Sequence, residues 1–350
     1  MIERSPRILV IRRDNIGDLV CTLPLIHALR QRFPEAYLAA LVNSYNREVL
    51  DGHPDVDEVF AYTKAKHRQA GETALGVYWR RLILFLRLRK QRFDYVVLAG
   101  AHFLPRALRL ARPLAARHIV GFTEPGRRGA ARIDLGMPYG SGDGLHEVED
   151  VFRLAAAFDI QGPPPAARLY PQITLRDALV ASLPRSFMGH PLIGLHISAR
   201  KPSNRWPVER FIELAHRLYA QLDARFLLFW SPGAADDPFH PGDDRKARQI
   251  VEAVGAEWLY AVPSHRLSEL IAGLSLCDLV VCSDGGAMHI AAALEKPIVC
   301  LFGGTDQVRW HPWHVPHILL QDGSREVEAL TVNEVAMAAQ GLIGRPSASA

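Results

Sequence analysis

Nine apolar runs of four to six residues punctuate the chain, with room for one helix between most neighbours. In the first half they are Ile8–Ile11, Tyr37–Val42, Glu58–Tyr62, Tyr95–Ala99 and His118–Phe122. In the second half they are Leu192–Ile197, Phe226–Trp230, Leu279–Cys282 and Ile298–Phe302. Runs this short and this rich in Val, Ile and Leu suit strands buried on both faces of a parallel sheet. Helical periodicity fills the gaps at Leu19–Phe33, Ala74–Gln91, Leu104–Leu114, His146–Asp159, Val208–Leu222, Arg245–Val254, Leu267–Leu274 and Ala287–Leu294. Strand alternating with helix predicts βαβ units and doubly wound sheets.

The alternation is interrupted once, by Gln161 and the run GPPPAA that follows it. Three consecutive prolines forbid a helix and disfavour a central strand, so two sheets are expected, one on each side. With 350 residues, two cores of ordinary domain size can form. The expected division is 1–170 and 171–343, with 344–350 a disordered tail. A content of 49% hydrophobic and 22% charged residues excludes disordered and collagen-like chains. No stretch offers the ~18 consecutive apolar residues of a membrane-spanning helix. The opening MIERSPRILVIRRDN has an apolar core too short for a signal peptide. Cys21, Cys277, Cys282 and Cys300 show no CxxC pairing, so reduced thiols and a cytoplasmic location are expected.

In open parallel sheets ligands sit beyond the carboxyl ends of strands. That directs attention to the loops after Ile11, Ile197, Cys282 and Phe302. The first reads RRDNIGDLV over residues 12–20, where Gly17 permits a close turn and Asp18 enters the first turn of a helix. Asp18 there can simply favour the helix dipole, worth ~0.3–1 kcal/mol, or act as a carboxylate that takes a proton from a hydroxyl. The glycines of a dinucleotide fingerprint are absent from this loop. The second loop gathers Arg200, Lys201 and Arg205, with Ser198, between a strand and a helix; cations so placed suit phosphate oxygens. The third, CSDGGAMHIAAAL from Cys282, ends a strand, turns on Gly285 and Gly286, and starts a helix of small residues. Backbone N–H groups at such a start form an anion site, and glycine permits close approach. Asp284 would repel phosphate and suits a ribose hydroxyl or an orienting hydrogen bond, while His289 can donate to an oxyanion or serve the core. The fourth, LFGGTD from Leu301, repeats the theme and offers the Thr305 hydroxyl.

Two metal readings are weaker. Asp55 and Asp57 have the acidic spacing of a cation site but occupy a charged connecting loop. The stretch WHPWHVPH from Trp310 clusters three histidines without helical spacing or acidic support. Charge is uneven: from Tyr78 to Arg132 there are twelve Arg and one Lys against only Asp94 and Glu124. The segment WRRLILFLRLRK from Trp79 combines an apolar face with basic flanks, as either a core-packed helix or a surface drawn to an anionic membrane or an acidic acceptor. No nucleic-acid motif accompanies this basicity, and none is expected to bind.

Taken together, DNIGDLVCTLP from Asp14, the Arg205-Trp-Pro turn and SDGGAMHIAAAL from Ser283 resemble the signatures of glycosyltransferase family 9, the lipopolysaccharide heptosyltransferases, over about residues 7–320. The resemblance implies a GT-B enzyme: two Rossmann-like domains facing a central cleft, inverting and independent of metal or other cofactor. It implies an acceptor-binding N-terminal half and a C-terminal half that binds a nucleotide sugar, ADP-heptose in the family. Asp18 matches the family's general base, and Asp284, Gly285, Gly286 and His289 match its donor-binding segment. Two positions depart. A hydroxyl residue common in the family is Gly285 here, and the lysine two places before Trp-Pro is Asn204, which leaves phosphate neutralisation to Lys201, Arg205 or Arg200. The acceptor implied is a lipopolysaccharide core or other lipid-linked envelope glycan, met at the cytoplasmic face of the inner membrane. The alternatives are a GT-B-fold sugar-nucleotide epimerase or a non-catalytic nucleotide-sugar-binding protein.

Overall fold

The computed structural model describes residues 5–62, 74–139, 144–236 and 242–343. The chain divides into two compact units, Met1–Ala167 and Arg168–Ala350; the expected tail at 344–350 lies outside the described residues.

In the first unit, strands β1 (Arg7–Ile11), β2 (Tyr37–Asn43), β3 (Glu58–Tyr62), β4 (Tyr95–Leu98), β5 (His118–Thr123) and β6 (Leu135–Pro138) form one parallel sheet. Helices α1 (Ile16–Val20), α2 (Leu23–Arg32), α3 (Ala74–Lys90), α4 (Pro105–Ala111) and α5 (Glu147–Phe152) complete it. The strand order is β3-β2-β1-β4-β5-β6. Its centre is β1, with Ile8 registered against Leu38 on one side and Tyr95 on the other. Leu9, Ile11, Leu41, Val96 and Leu98 bury one face against Leu88 of α3 and Ala107, Leu108 and Ala111 of α4. Each such side chain withdrawn from water contributes ~1.5–3 kcal/mol.

The second unit repeats the plan. Its strands are β7 (Leu192–His196), β8 (Arg225–Trp230), β9 (Leu259–Pro263), β10 (Leu279–Ser283), β11 (Ile298–Phe302) and β12 (His317–Gln321), in the order β12-β11-β10-β7-β8-β9. Its helices are α6 (Ile173–Ser182), α7 (Val208–Leu222), α8 (Asp244–Val254), α9 (Leu267–Leu274), α10 (Gly286–Ala293), α11 (Gln307–Trp310) and α12 (Val332–Leu342). Numbered within the unit, this is again 3-2-1-4-5-6, the Rossmann order. In each sheet the chain reverses direction of travel between the first and fourth strands, and the crevice past their carboxyl ends is where ligands bind in such folds. Two Rossmann-like α/β units are thus the architecture of the chain.

All nine apolar runs are strands, but β6, β9 and β12 were not foreseen. They are edges: β6 alternates half-buried with exposed residues, and no residue of β12 is fully buried. An edge strand need not be apolar on both faces, so the criterion of continuous hydrophobicity passes over it. Helices α6, α11 and α12 were also missed. The expected helix over Leu19–Phe33 is in fact α1 and α2, because Pro24 is tolerated only in a first turn and the helix restarts there. His146–Asp159 likewise holds only the short α5, followed by a 3-10 segment, Arg153–Phe158. All four cysteines are buried and outside any disulfide. No helix among the described residues is long and apolar enough to cross a membrane.

Candidate active site

At the carboxyl end of β1 the chain leaves the sheet through a buried arginine. Arg12 donates from Nη1 to the Ala99 carbonyl at the end of β4, 2.8 Å away, and so bridges the two strands of the switch point. Its Nη2 donates to Asp18 Oδ1 at 2.7 Å and to Glu147 Oε1 at 2.8 Å, and Asp14 approaches its Nε to 3.7 Å. Burial alone would lower the pKa of this guanidinium, but Asp18, Glu147 and Asp14 more than offset it and hold it above its ordinary value. Asp18 keeps a side-chain exposure of 14%, with Oδ2 accepting the Asn15 N–H at 2.8 Å. Burial acts to raise its pKa, yet the Arg12 charge and the Asn15 N–H hold the carboxyl below its ordinary range. The buried Gly17 beside it belongs to the tight first turn of α1. Asp18 is therefore ionised, fixed in direction and partly open to solvent. It fills the helix-start role through Oδ2, and each carboxylate oxygen retains a second lone pair able to accept a further proton donor.

In the second unit the loops after β7, β10 and β11 meet through hydrogen bonds. Asp284 Oδ2 accepts from Thr305 Oγ1 at 2.7 Å and from Asn204 Nδ2 at 3.3 Å, and the same Nδ2 reaches the Asp284 carbonyl at 3.1 Å. Lys201 Nζ donates to Thr305 Oγ1 at 3.2 Å. The Asp284 carboxylate is thus an orienting group, and the Thr305 proton is directed at it. Gly303 is required by this closeness: a Cβ there would stand 2.4 Å from Asn204 Oδ1 and 2.5 Å from the Ser203 carbonyl. Gly285 and Gly286 open α10 with no side-chain cap, so the first-turn N–H groups face outward unclaimed by a capping side chain. A Cβ on Gly285 would meet only the Ser283 carbonyl, at 4.0 Å, leaving room for a ligand group. Arg200, Lys201 and Arg205 are exposed, with Arg205 Nε held by the Ala199 carbonyl at 3.1 Å. Ser198 Oγ accepts the Ser231 N–H at 2.9 Å. His289 is buried, its ring edge-on to Trp310 at 5.9 Å between centroids.

Sequence reasoning missed three participants. Glu147 lies 135 residues from Arg12, and only the fold joins them; Arg12 itself was read merely as loop. The third is Lys246, which sits in a charged stretch of α8 that reads as a solvated face. Its Nζ donates to the Ile197 carbonyl at 3.1 Å and the Trp206 carbonyl at 2.7 Å, and lies 4.8 Å from the Phe211 ring centre. One ammonium therefore ties together the two ends of the basic 198–205 loop. Burial, with Arg205 adding to it, pulls Lys246 down to about 8 against the opposing pull of Asp243 and Glu209. Burial and then the Lys246 charge push His196 down to about 4.

The acidic pair near β3 is occupied by protein partners. Asp55 Oδ2 lies 2.9 Å from His27 Nδ1, and Asp57 Oδ2 takes Arg30 Nη2 and the Leu38 N–H, each at 2.7 Å. The histidines after Trp310 stack on each other and on Trp313, in an aromatic-packed loop.

Comparison with known proteins bears on the family of the chain as a whole. Residues 81–331 match the model of glycosyltransferase family 9 (heptosyltransferase). The lipopolysaccharide heptosyltransferase 2 of Salmonella typhimurium is 27% identical over 317 residues, covering 85% of this chain and 82% of that one. Among solved structures, a family 9 glycosyl transferase from Veillonella parvula superposes with a TM-score of 0.78 at 19% identity, covering 98% of both chains. The E. coli ADP-heptose lps heptosyltransferase II superposes with a TM-score of 0.76 at 21% identity, covering 96% of this chain and 98% of that one.

Proposed function

This chain belongs to glycosyltransferase family 9, and on that premise we propose that it transfers heptose from ADP-heptose to a lipopolysaccharide inner-core acceptor, inverting the anomeric carbon without a metal. The observation that carries the reading is the pairing of chemistries. An oriented carboxylate, Asp18, stands at the switch point of one sheet, and a glycine-rich helix start beside exposed cations stands at that of the other. The second unit holds the nucleotide diphosphate, and the first holds the acceptor. Lys201, brought to the Asp284–Thr305 pair, takes the place of the cation that Asn204 does not supply. With Arg200 and Arg205 it offsets the charge that develops on the leaving diphosphate.

Asp18 accepts the acceptor hydroxyl proton as that oxygen attacks the anomeric carbon. A carboxylate held below its ordinary pKa is a weak base for a free alcohol. It suffices here because the attacking hydroxyl becomes strongly acidic as its oxygen bonds to an oxocarbenium-like centre, so the proton moves late. The depressed pKa also keeps Asp18 ionised across the physiological range. A lipid-linked acceptor would have this enzyme working at the cytoplasmic face of the inner membrane.

Incubation with ADP-heptose and deacylated inner-core acceptor, followed by mass spectrometry of the product, tests the reading. The acceptor gains one heptose, and product NMR shows the anomeric configuration inverted. Asp18→Asn lowers turnover ~10²–10⁴-fold at nearly unchanged donor affinity. Conversion of ADP-heptose with no acceptor present, or full turnover by Asp18→Asn, would reject it.

A further inference from the structure

Helix α3 packs one face and leaves its opposite face apolar. Leu84, Phe85 and Leu88 point to the core of the first unit. Trp79, Leu82, Ile83 and Leu86 are 65%, 48%, 43% and 52% exposed. Their spacing of i, i+3, i+4 and i+7 sets them in one stripe along the outer side. At 100° per residue, Arg80 and Arg87 flank the stripe on one side, Arg89 flanks it on the other, and Lys90 closes its end. Beyond that end, Arg89, Arg92, Phe93, Leu114 and Arg117 line a recess. Within this basic surface Arg87 pairs with Glu58 and Arg117 with Asp94, but α3 carries no acidic residue from Ala74 to Lys90.

We propose that this outer face of α3 docks the enzyme on an anionic lipid surface, its apolar stripe entering the headgroup boundary while the flanking arginines meet lipid phosphates. An aromatic and aliphatic ridge between cations is the pattern of a helix that lies in a membrane interface. Self-association is the other way to cover a leucine stripe. A second copy, however, would set the four arginines and the lysine of α3 against the same five cations, with no acidic residue on either helix to pair them. Charge complementarity selects the lipid. The inference rests on the reading above only for the reason a membrane acceptor needs such a dock; its test needs no turnover, so the two fail separately.

The test is co-sedimentation of the full chain with vesicles. It binds vesicles of phosphatidylglycerol and phosphatidylethanolamine, binds phosphatidylcholine vesicles poorly, and releases as salt rises. Leu82→Glu with Leu86→Glu, both at exposed positions, weakens partitioning by at least about tenfold. The independent pair Arg80→Glu with Lys90→Glu does the same at low salt. Both variants retain wild-type turnover on a water-soluble deacylated acceptor. Anionic-vesicle binding that is absent, or unchanged in both variants, overturns the proposal. So does a dimer in sedimentation velocity that Leu82→Glu with Leu86→Glu dissociates while no vesicle is bound.

Discussion

The two units share one strand order, yet the crevices of their sheets are charged in opposite senses. In the first, Arg12 is surrounded by Asp14, Asp18 and Glu147, and its charge is compensated inside the fold. In the second, Arg200, Lys201 and Arg205 are exposed, and among the described residues their side-chain partners are a backbone carbonyl and a hydroxyl. A compensated cluster holds a carboxylate still at little cost to its surroundings. Cations without carboxylate partners leave a site waiting for an anion to complete it. On the proposed reading, the same scaffold serves proton acceptance in one unit and phosphate binding in the other, through loop chemistry alone.

The largest effect that would break this contrast is on stability. Arg12→Leu strands the buried Glu147 carboxylate and the half-buried Asp18, and should cost ~3–5 kcal/mol in chemical denaturation. The sign of its pH dependence is diagnostic. Without Arg12 the charge that lowers the Asp18 pKa is lost while burial still raises it, so the deficit shrinks as pH falls and that carboxyl takes up a proton. Lys201→Met, removing an exposed cation, should leave the melting temperature unchanged while weakening donor binding in calorimetry. A Lys201→Met variant that unfolds as readily as Arg12→Leu would show that the second crevice is internally compensated too.

Lys246 sharpens the comparison, because it is a cation of the second unit that is committed to the fold. Lys246→Met leaves the Ile197 and Trp206 carbonyls without their shared donor, and should cost ~1–3 kcal/mol. With the basic loop untied at both ends, the donor KM should rise about tenfold while kcat at saturating donor changes little. Lys246→Arg should recover most of this. A second readout comes from His196, whose folded pKa of about 4 lies below its ordinary 6.5. As pH falls through that window the unfolded imidazole takes a proton that the folded one refuses, so wild-type stability drops, by ~3 kcal/mol, and levels near pH 4. Burial is the main cause and the Lys246 charge the second, so Lys246→Met should make this acid loss shallower without removing it. Unaltered donor KM in Lys246→Met would sink the loop-tying role.

How much of this was legible in the chain follows from what each feature depends on. The central strands could be read because burial on both faces forces an unbroken apolar run, as in LVVCS of β10. The site loops could be read because glycines and cations stand directly after such runs. Asp18, Asp284 and Thr305 could therefore be placed at the ends of known strands. Their partners could not. Arg12 meets Glu147 and Lys246 meets Ile197 only after sheet order has brought distant segments together. No local pattern distinguishes Lys246 from its exposed neighbours Arg245 and Arg248.

The smallest effect addresses Gly285, where the resemblance to family 9 implies a hydroxyl residue. Its backbone is extended, at φ 160°, so a side chain is compatible with the conformation. The nearest atom to an added Cβ is the Ser283 carbonyl at 4.0 Å, so space is available as well. Gly285→Ser should then fold normally, gain roughly a few tenths of a kcal/mol as a helix cap, and supply one more donor to a phosphate. A neutral hydrogen bond of ~0.5–1.5 kcal/mol corresponds to a two- to tenfold gain in donor affinity by calorimetry. Weaker donor binding with unimpaired stability would carry a different lesson: the diphosphate occupies the volume of the missing Cβ, and the glycine provides room that this crevice uses.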